Sequence, residues 1–504
     1  MNKTANQTIR PPRNLRGPYQ PMRFEACVEE CVVSEGEVPK ELNGGFYRAG
    51  PTWKRPIRQD TTSPYTQIFT QDGMVQGLTF REGRVDFRNR WVRTPKYLAE
   101  EKAGESIFEW EDCAFGDWRD MGRANVRRGP GNVGIPQGVH TVNALGFGGQ
   151  VLAMGELVVP YAMDPITLET IGPVPWSTQL GKGLVEPACF GDGAFTAHPK
   201  WDPDTGELYG WSAQDVEPYI TLHWVQPDGT VKTRPLWDAP YSQWAHDMWL
   251  SERYVVLPFM PFVVDTARVP KGLSVNGWDV EKPIVIALIP RDDIDGEIRW
   301  ITADIEPQYI MHMLSCNHVG NTLQLDAPIF DRPPWMTDDM FNPGDPVVPF
   351  LKIANSSIGR WTIDLDTGSV KSERLDDCPM ELPKVDERYY GKPYTWGFLE
   401  AGDRNGDGMR INQVVRRNVH TGAEDRYTAS HDPHDGIFEA TFAPRSPDSP
   451  EGDGYLIVPI CKFGANRSEF IILDTSDVAA GPVARIELPF QIGFTPHGHW
   501  MEFA

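Results

Sequence analysis

The sequence predicts an all-β protein with the architecture of a β-propeller, and three observations favour this fold class. Glycine and proline are frequent, with 47 and 45 residues in a chain of 504, and they separate short runs rich in β-branched and aromatic residues. The residues are 40% hydrophobic, which is enough for a large core. Degenerate hairpin units recur along the chain, and a propeller closes such units radially and leaves few open sheet edges.

The N-terminal segment differs in composition from the rest. Residues 1–20 are polar and contain several prolines, so we expect a flexible arm followed by a single propeller domain at residues 21–504. The segment has no apolar region of the kind found in a secretory signal, and no apolar stretch of the chain approaches the ~20 residues that span a bilayer. We therefore expect a cytoplasmic protein without a transmembrane segment.

Strand-like runs alternate with turn signals from Leu42 to the end of the chain. Clear examples of the runs are residues 149–156 (GQVLAMGE), 253–258 (RYVVLP), 283–289 (PIVIALI) and 454–460 (GYLIVPI). The turns that follow such runs include residues 164–167 (DPIT), 202–207 (DPDTGE), 227–230 (PDGT) and 366–368 (DTG). Their aspartates and glycines suit tight connections between antiparallel strands, so we expect consecutive strands to pair as hairpins.

Three segments depart from the hairpin pattern. Residues 97–104 (YLAEEKAG) are predicted to be helical, and residues 333–340 (PPWMTDDM) to form an elaborated loop. In a propeller such insertions lie on one face, where a substrate enters. The apolar residues 258–264 (PFMPFVV) have two interpretations, the mouth of a lipophilic tunnel or an ordinary core strand.

The charge balance excludes several partners. The formal net charge is −22 and the pI is about 4.9. Binding to nucleic acid is dominated by lysine and arginine contacts with phosphate, so we predict no nucleic-acid partner. The same balance disfavours a strongly anionic membrane surface, although a weak contact through a local apolar patch stays open. The sequence does not indicate an oligomeric state.

Four of the eleven histidines lie in distinctive and widely separated contexts, each beside a strand-like run. They are His198 in FTAHPKW, His246 in WAHDMW, His312 in IMHMLSC and His497 in FTPHGHW. A propeller could direct all four toward its central axis from different blades. His499, two residues beyond His497, would point to the opposite face of a strand, and we expect it to be structural.

A set of neutral imidazoles suits iron(II), copper or zinc and disfavours calcium and magnesium, which prefer oxygen ligands. Uncharged ligands leave the metal its full positive charge and leave coordination positions for O₂. Such ligands usually need carboxylates on the second ring nitrogen, which fix the tautomer and orient the ring. No facial triad with a single carboxylate is present, so a 2-oxoglutarate cosubstrate is not implied.

The order and spacing of these four motifs resemble the carotenoid cleavage oxygenase family. Residues 42–51 (LNGGFYRAGP) resemble its opening strand, and residues 72–75 (DGMV) resemble its next turn. The resemblance implies a seven-bladed β-propeller with a dome of loops and helix over a central iron site. It implies Fe²⁺ bound by the four histidines, with O₂ and an apolar conjugated alkene as reaction partners. The supporting glutamates implied by the resemblance are Glu156, Glu381 and Glu439.

The substrates of this family divide between long apocarotenoids and small aryl alkenes. Residues 90–94 (RWVRT) and 101–108 (EKAGESIF) look closer to the bacterial lignostilbene and isoeugenol type, which acts in the catabolism of aromatic compounds. Val142 aligns with a threonine that crowds one open iron position in many members. The lysine and tyrosine that grip a phenol in hydroxystilbene-cleaving members align with Gly155 and Trp110. We therefore expect an aryl alkene held without a phenol contact, with an apocarotenoid as the alternative.

Other enzyme classes lose their usual support because the sequence contains no H-E-x-x-H, G-x-S-x-G or P-loop motif. Two hypotheses from different classes remain. The first is a non-heme iron(II) dioxygenase that splits a conjugated C=C bond with O₂ into two carbonyl products. The second is a non-catalytic propeller that binds a partner and holds a structural metal. Iron content and O₂ uptake on an alkene distinguish them.

Overall fold

The computed structural model describes residues 20, 22–52, 54–55, 72–105, 140–156, 158–180, 195–214, 216–265, 267–268, 276–334, 356–402, 411–432 and 435–503. Trp110, nearly all of the predicted arm and most of the predicted loop at residues 333–340 lie outside these ranges. The division into an arm and a single domain at residues 21–504 therefore stays a prediction.

Strands dominate the described residues. The first part of the chain contains β1 (Cys27–Val28), β2 (Val32–Gly36), β3 (Gly44–Thr52), β4 (Asp72–Arg81), β5 (Arg84–Trp91), helix α1 (Pro95–Ala103), β6 (Asn143–Phe147), β7 (Gln150–Met154), β8 (Tyr161–Met163), β9 (Thr170–Pro173), β10 (Lys200–Trp201), β11 (Leu208–Ala213), β12 (Ile220–Val225) and β13 (Val231–Pro235). The middle contains β14 (Trp249–Leu250), β15 (Tyr254–Phe259), β16 (Phe262–Val264), β17 (Asn276–Trp278), β18 (Ile284–Pro290), β19 (Arg299–Ala303), β20 (Ser315–Val319), β21 (Thr322–Ile329), β22 (Ser357–Asp364) and β23 (Val370–Arg374). The last part contains β24 (Met380–Lys384), β25 (Trp396–Gly402), β26 (Ile411–Asn418), β27 (Glu424–Thr428), β28 (Asp435–Ile437), β29 (Thr441–Pro444), β30 (Gly454–Lys462), β31 (Arg467–Asp474), β32 (Pro482–Leu488) and β33 (Gly498–Glu502). Four short 3₁₀ turns also occur in the described residues, at Pro175–Gln179, Glu387–Tyr389, Phe463–Ala465 and Val478–Ala480.

Seven antiparallel sheets form the blades of a propeller, which confirms the predicted fold class. Blade 1 has the strand order β1-β5-β4-β3-β33, blade 2 is β6 to β9, blade 3 is β10 to β13, blade 4 is β14-β15-β18-β19, blade 5 is β20 to β23, blade 6 is β24 to β27, and blade 7 is β2-β32-β31-β30 with β28 and β29 both paired to β30. A two-stranded sheet of β16 and β17 is added beside blade 4. Within most blades consecutive strands pair as hairpins, as the turn signals predict.

The ring is closed by strands from the two ends of the chain. β33 pairs antiparallel with β3, and this pairing places Phe46 opposite Trp500. β2 in turn joins blade 7 by pairing with β32, with Val32 opposite Glu487. These pairings link strands that are more than 400 residues apart, and they cover edges that would otherwise offer unpaired backbone groups.

The core lies between the blades. β18, with the sequence IVIALIP, is buried over six of its seven residues because both faces of a blade pack against neighbouring blades. Full burial of one such aliphatic side chain contributes roughly 1.5–3 kcal/mol. Residues 258–264 are all buried, with Pro258 and Phe259 at the end of β15 and Phe262–Val264 forming β16, which agrees with the core-strand interpretation.

The predicted helix is present as α1. The Thr94 side chain accepts a hydrogen bond from the Tyr97 amide, Pro95 occupies the first turn, and Gly104 ends the helix at φ +75°. Lys96 anchors α1 to blade 1, because its Nζ lies 2.9 Å from Asp72 Oδ1 and 3.0 Å from Glu100 Oε2. All three charged side chains are almost fully buried.

Candidate metal centre

The four predicted histidines each stand just before the strand that ends one sheet. His198 precedes β10, His246 precedes β14, His312 precedes β20, and His497 precedes β33. These terminal strands lie around the propeller axis. The four side chains therefore point toward the axis, from blades 3, 4, 5 and 1 respectively. All four are buried, with exposures between 4% and 7%.

The four imidazoles converge. One ring nitrogen from each can be chosen so that all four atoms lie within 4.8 Å of one another. The ring centroids of His198 and His246 are 4.3 Å apart, and those of His312 and His497 are 4.7 Å apart. His246 Nε2 lies 3.2 Å from His312 Nε2. In the described residues this is the one group of three or more potential ligands gathered in this way.

Three buried carboxylates hold the outer nitrogens of three of these rings. His312 Nδ1 donates to Glu381 Oε2 and His497 Nδ1 donates to Glu439 Oε2, each at 2.7 Å. His246 Nδ1 lies 3.0 Å from Glu156 Oε1. The same glutamate oxygen is 3.9 Å from His198 Nε2, too far for a hydrogen bond.

The seven residues come one from each blade. Glu156 follows β7 in blade 2, Glu381 lies in β24 of blade 6, and Glu439 lies between β28 and β29 in blade 7. The histidines occupy the remaining four blades. Sequence analysis named all seven residues, and the fold brings them together.

The tautomers imposed by the carboxylates fit a bound cation. A neutral imidazole that donates from Nδ1 has only a lone pair on Nε2. When both rings are neutral, the facing Nε2 atoms of His246 and His312 have no proton to share. Among the described residues, the buried Nε2 of His198 has no hydrogen-bond partner. Nitrogen lone pairs gathered in a dry space are what a borderline divalent metal binds, so the residues fit such an ion.

Burial and charge set the proton affinities of these groups in the metal-free protein. Burial holds the pKa of His198 well below its usual value and lowers the pKa of His497 to about 3. Burial would also lower the pKa of His312, but the carboxylate of Glu381 raises it above its usual value. Burial would raise the pKa of Glu439, yet Lys384 and His497 bring it down to about 2.

Two further charged side chains lie behind the glutamates and were missed by sequence reasoning. Lys384 Nζ lies 3.4 Å from Glu439 Oε1 and 3.2 Å from Glu387 Oε1. Glu387 Oε2 is 2.7 Å from His499 Nδ1, and both residues line a cavity of about 200 Å³. His499 thus binds Glu387 and does not join the four-histidine group, as its position in the strand predicted.

A third missed residue is Glu400, which is fully buried and stands opposite Glu381 in the β24–β25 pairing. It accepts a hydrogen bond from the Ala440 amide, beside Glu439. Burial, with the nearby charge of Glu439, raises the pKa of Glu400 well above its usual value, which favours the neutral form of this carboxyl group.

The signal for Lys384 was hidden by an irregularity in β24. Residues three apart in a regular strand face opposite sides of the sheet. Leu382 has φ +52°, and the register shifts between Glu381 and Lys384. This bulge brings Glu381 and Lys384 to the same side. Pro383 is a local sign of an irregular or edge strand, but it does not indicate which way Lys384 points.

The predicted substrate-pocket residues are only partly described. Val142 is buried in an apolar cluster that contains Met154 and Ala197, the neighbour of His198. Gly155 is buried directly before Glu156, and Trp110 lies outside the described residues. Their contact with a substrate stays a prediction.

The fold and the site together define a seven-bladed propeller with four axial histidines that could hold a metal ion. Residues 19–502 match the family model described as retinal pigment epithelial membrane protein. The chain is 31% identical to isoeugenol monooxygenase from Pseudomonas putida, over 96% of this chain and 97% of that protein. It is 29% identical to lignostilbene-α,β-dioxygenase isozyme III from Sphingomonas paucimobilis, over 97% and 96%. The crystal structure of Pseudomonas brassicacearum lignostilbene dioxygenase superposes with a TM-score of 0.80 at 30% identity, covering 97% of this chain and 98% of that one.

This chain belongs to the retinal pigment epithelial membrane protein family, the carotenoid cleavage oxygenases. The resemblance stated from the sequence motifs is thereby confirmed. The chain is an oxidoreductase of the oxygenase type, in a family whose members use iron. Among the described residues, no helix has the length and apolar character that crossing a membrane requires.

Proposed function

We propose that this protein is an iron(II)-dependent dioxygenase that cleaves the conjugated C=C bond of an aryl alkene. The observation that carries the proposal is the convergence of four buried imidazole nitrogens within 4.8 Å. In a non-catalytic scaffold with a structural metal, four protein ligands would normally close the coordination sphere tetrahedrally with thiolates and imidazoles. Here all the donors are neutral imidazoles backed by carboxylates, as an iron centre of this family would need.

The chain's own residues have distinct roles in this proposal. His198, His246, His312 and His497 would hold the ion. Glu381 and Glu439 fix the tautomers and ring planes of two of these histidines through 2.7 Å hydrogen bonds. Glu156 Oε1 lies 3.0 Å from His246 Nδ1, and its charge would favour the same tautomer. All seven side chains are buried, so solvent screens their charges only weakly.

The reaction balances without a cosubstrate. One molecule of O₂ and one alkene R–CH=CH–R′ give the two aldehydes R–CHO and R′–CHO, so the C=C and O–O bonds break and two C=O bonds form. Bound iron(II) would supply the electronic coupling that lets triplet O₂ react with a closed-shell alkene. No proton is gained or lost overall, which agrees with a centre made of neutral histidines.

The substrate class follows from the relatives. Their names give isoeugenol and lignostilbene as the compounds on which they act. Both compounds are aryl alkenes, and the full-length similarity supports an alkene of this size here. Gly155, and Trp110 outside the described residues, stand where a lysine and a tyrosine would grip a phenol. The proposed substrate is therefore recognised by its apolar conjugated part. The cytoplasmic location expected from the sequence stays a prediction.

Cleavage and oxygen incorporation test the proposal. Iron-loaded protein would be incubated under ¹⁸O₂ with stilbenes, phenylpropenoids and apocarotenals, and the products reduced at once with borohydride to prevent exchange with water. We expect two alcohols, each with one ¹⁸O atom. Label in one product only would indicate a monooxygenase. Cleavage of apocarotenals alone would favour the apocarotenoid alternative, and retained iron without O₂ uptake on any alkene would favour the scaffold.

A matched substrate pair tests the missing phenol contact. A charged phenol-binding group contributes about tenfold or more in affinity. Without such a group, the kcat/KM values for a 4-hydroxystilbene and for its 4-methoxy ether should agree within about threefold. This difference is smaller than the roughly tenfold effect of a charged phenol contact. A preference of tenfold or more for the free phenol would show that another side chain binds the hydroxyl group.

A further inference from the structure

Glu439 differs from the other two supporting glutamates because it is shared. Its Oε2 accepts from His497 Nδ1 at 2.7 Å, while its Oε1 accepts from the Gly498 amide at 2.9 Å and lies 3.4 Å from Lys384 Nζ. Lys384 also forms an ion pair with Glu387, and Glu387 in turn contacts His499. Glu439, Lys384 and Glu387 thus form a row of alternating charge between His497 and His499.

The other two histidine–glutamate pairs lack such a cation. In the described part of the chain, neither Glu156 nor Glu381 forms an ion pair with a lysine or an arginine. Among the described residues, Glu381 accepts from the Leu382 amide in addition to His312. His497 is therefore the one supported histidine whose carboxylate also faces a fixed ammonium group.

The cation changes what the carboxylate does for its histidine. A carboxylate on the outer nitrogen makes the imidazole a stronger donor to a metal. An ammonium group on the second carboxylate oxygen draws charge away from the imidazole side. The Lys384 side chain is only 12% exposed, so solvent screens this effect weakly. Burial would lower the pKa of Lys384, but Glu439 and Glu387 raise it above its usual value, and the ammonium form persists.

We propose that Lys384 is a positioning residue that limits electron donation from His497 to the metal and thereby favours the ferrous over the ferric ion. The inference rests on the iron centre proposed above. A ferric ion gains more than a ferrous ion from a strong donor, because it carries more charge. Restraining one of the four donors keeps the centre in the state that the proposed reaction with O₂ requires.

The one-electron midpoint potential of the bound iron tests the proposal. In Lys384→Met the side chain keeps its length and loses its charge. We expect ferric iron to be favoured about tenfold more than in the wild-type protein, which lowers the midpoint potential by about 59 mV. Lys384→Arg keeps the cation and should leave the potential unchanged. The visible spectrum of the cobalt(II)-substituted variants reports whether the four-histidine geometry is retained.

Two further variants secure the interpretation. If Lys384→Met does not fold, the double variant Lys384→Met/Glu387→Gln removes one charge of each sign and should show the same lowered potential. Lys96→Met is the matched control, because Lys96 is also a buried lysine between two carboxylates, yet it contacts none of the three glutamates that hold the histidines. We expect it to leave the potential unchanged.

The outcomes separate this inference from the proposed function. An unchanged or raised potential in Lys384→Met, or an equal decrease in Lys384→Arg, overturns the role of Lys384 while leaving the iron centre intact. Failure of the wild-type protein to bind iron or cobalt(II) through imidazoles overturns the proposed function itself.

Discussion

The two sides of the four-histidine centre are held differently. On the side formed by blades 5, 6, 7 and 1, which we term the paired side, His312 and His497 each have their own carboxylate at 2.7 Å. On the side formed by blades 2, 3 and 4, the shared side, a single glutamate serves His246 at 3.0 Å and stands 3.9 Å from His198. The metal would thus meet two firmly oriented rings and two rings with less restraint.

The difference indicates where the centre can adapt. A ring that donates a short hydrogen bond to a buried carboxylate has a fixed tautomer and a fixed plane. The nearest oxygen of Glu156 is 3.9 Å from the His198 ring, so this carboxylate fixes neither its tautomer nor its plane. The His198 backbone amide donates to Thr196 Oγ1 at 3.0 Å. Small rearrangements during metal binding should therefore be concentrated on the shared side, whereas the paired side acts as the preformed part of the site.

The largest expected effect comes from removing a ligand on the shared side. His246 has a looser carboxylate contact than His312 or His497, yet it would still bind the metal directly. His246→Ala should therefore abolish iron retention after desalting and abolish turnover. The loss should exceed the roughly 10- to 100-fold decrease in metal affinity that follows loss of an outer carboxylate. Iron is measured by atomic emission, and His318→Ala is the control because His318 contacts Ser251 and Arg253 outside the centre. Substantial activity in His246→Ala would remove His246 from the ligand set.

The glutamates test the asymmetry directly. Glu381→Gln and Glu439→Gln should each weaken cobalt(II) binding by about 10- to 100-fold, because each removes the only carboxylate of one histidine. Glu156→Gln should weaken it by about tenfold or less, because the contact that it removes is longer. Glu400→Gln is the control, since Glu400 accepts from the Ala440 amide and its raised pKa favours a neutral form that has the shape of glutamine. A larger loss in Glu156→Gln than in the other two would reverse the comparison.

The residues of the four-histidine centre could be predicted from the sequence, whereas the strand pairings that close the propeller could not. Each of the four histidines lies in a local motif of a few residues, so a resemblance could identify it. The blade count came only from that resemblance, because degenerate hairpins do not mark blade boundaries. Pairing of β33 with β3, and the addition of β16 and β17, depend on contacts between distant strands that no local pattern specifies.

The residues behind the glutamates escaped prediction for a similar reason. Lys384, Glu439 and His499 come from blades 6, 7 and 1, and they meet only because the ring closes. A lysine in a polar strand is usually exposed, and Pro383 signals an irregular strand without indicating that Lys384 turns inward. Glu400 was equally hidden, because a single glutamate within WGFLEAG does not reveal that it stands opposite Glu381.

The smallest expected effect is a difference in pH dependence between the two sides. The pKa of His312 is raised above its usual value by Glu381, against the opposing effect of burial, so metal-free His312 holds a proton at slightly acidic pH. A metal can bind only after that proton leaves. Cobalt(II) affinity should therefore increase with pH below the raised pKa of His312, by up to about tenfold per pH unit, and level off above it.

Comparison of two variants assigns this dependence to the paired side. In Glu381→Gln the main group that raises the pKa of His312 is absent, so burial dominates and the level region should extend to lower pH. In Glu156→Gln the midpoint should move much less, since the largest causes of the shift in the pKa of His312 are burial, Glu381, Asp247 and Glu439. Isothermal titration in buffers of different ionisation enthalpy gives the number of protons released at each pH. If Glu156→Gln shifted the midpoint and Glu381→Gln did not, the proton would belong to the shared side, and the preformed part of the site would have to be reassigned.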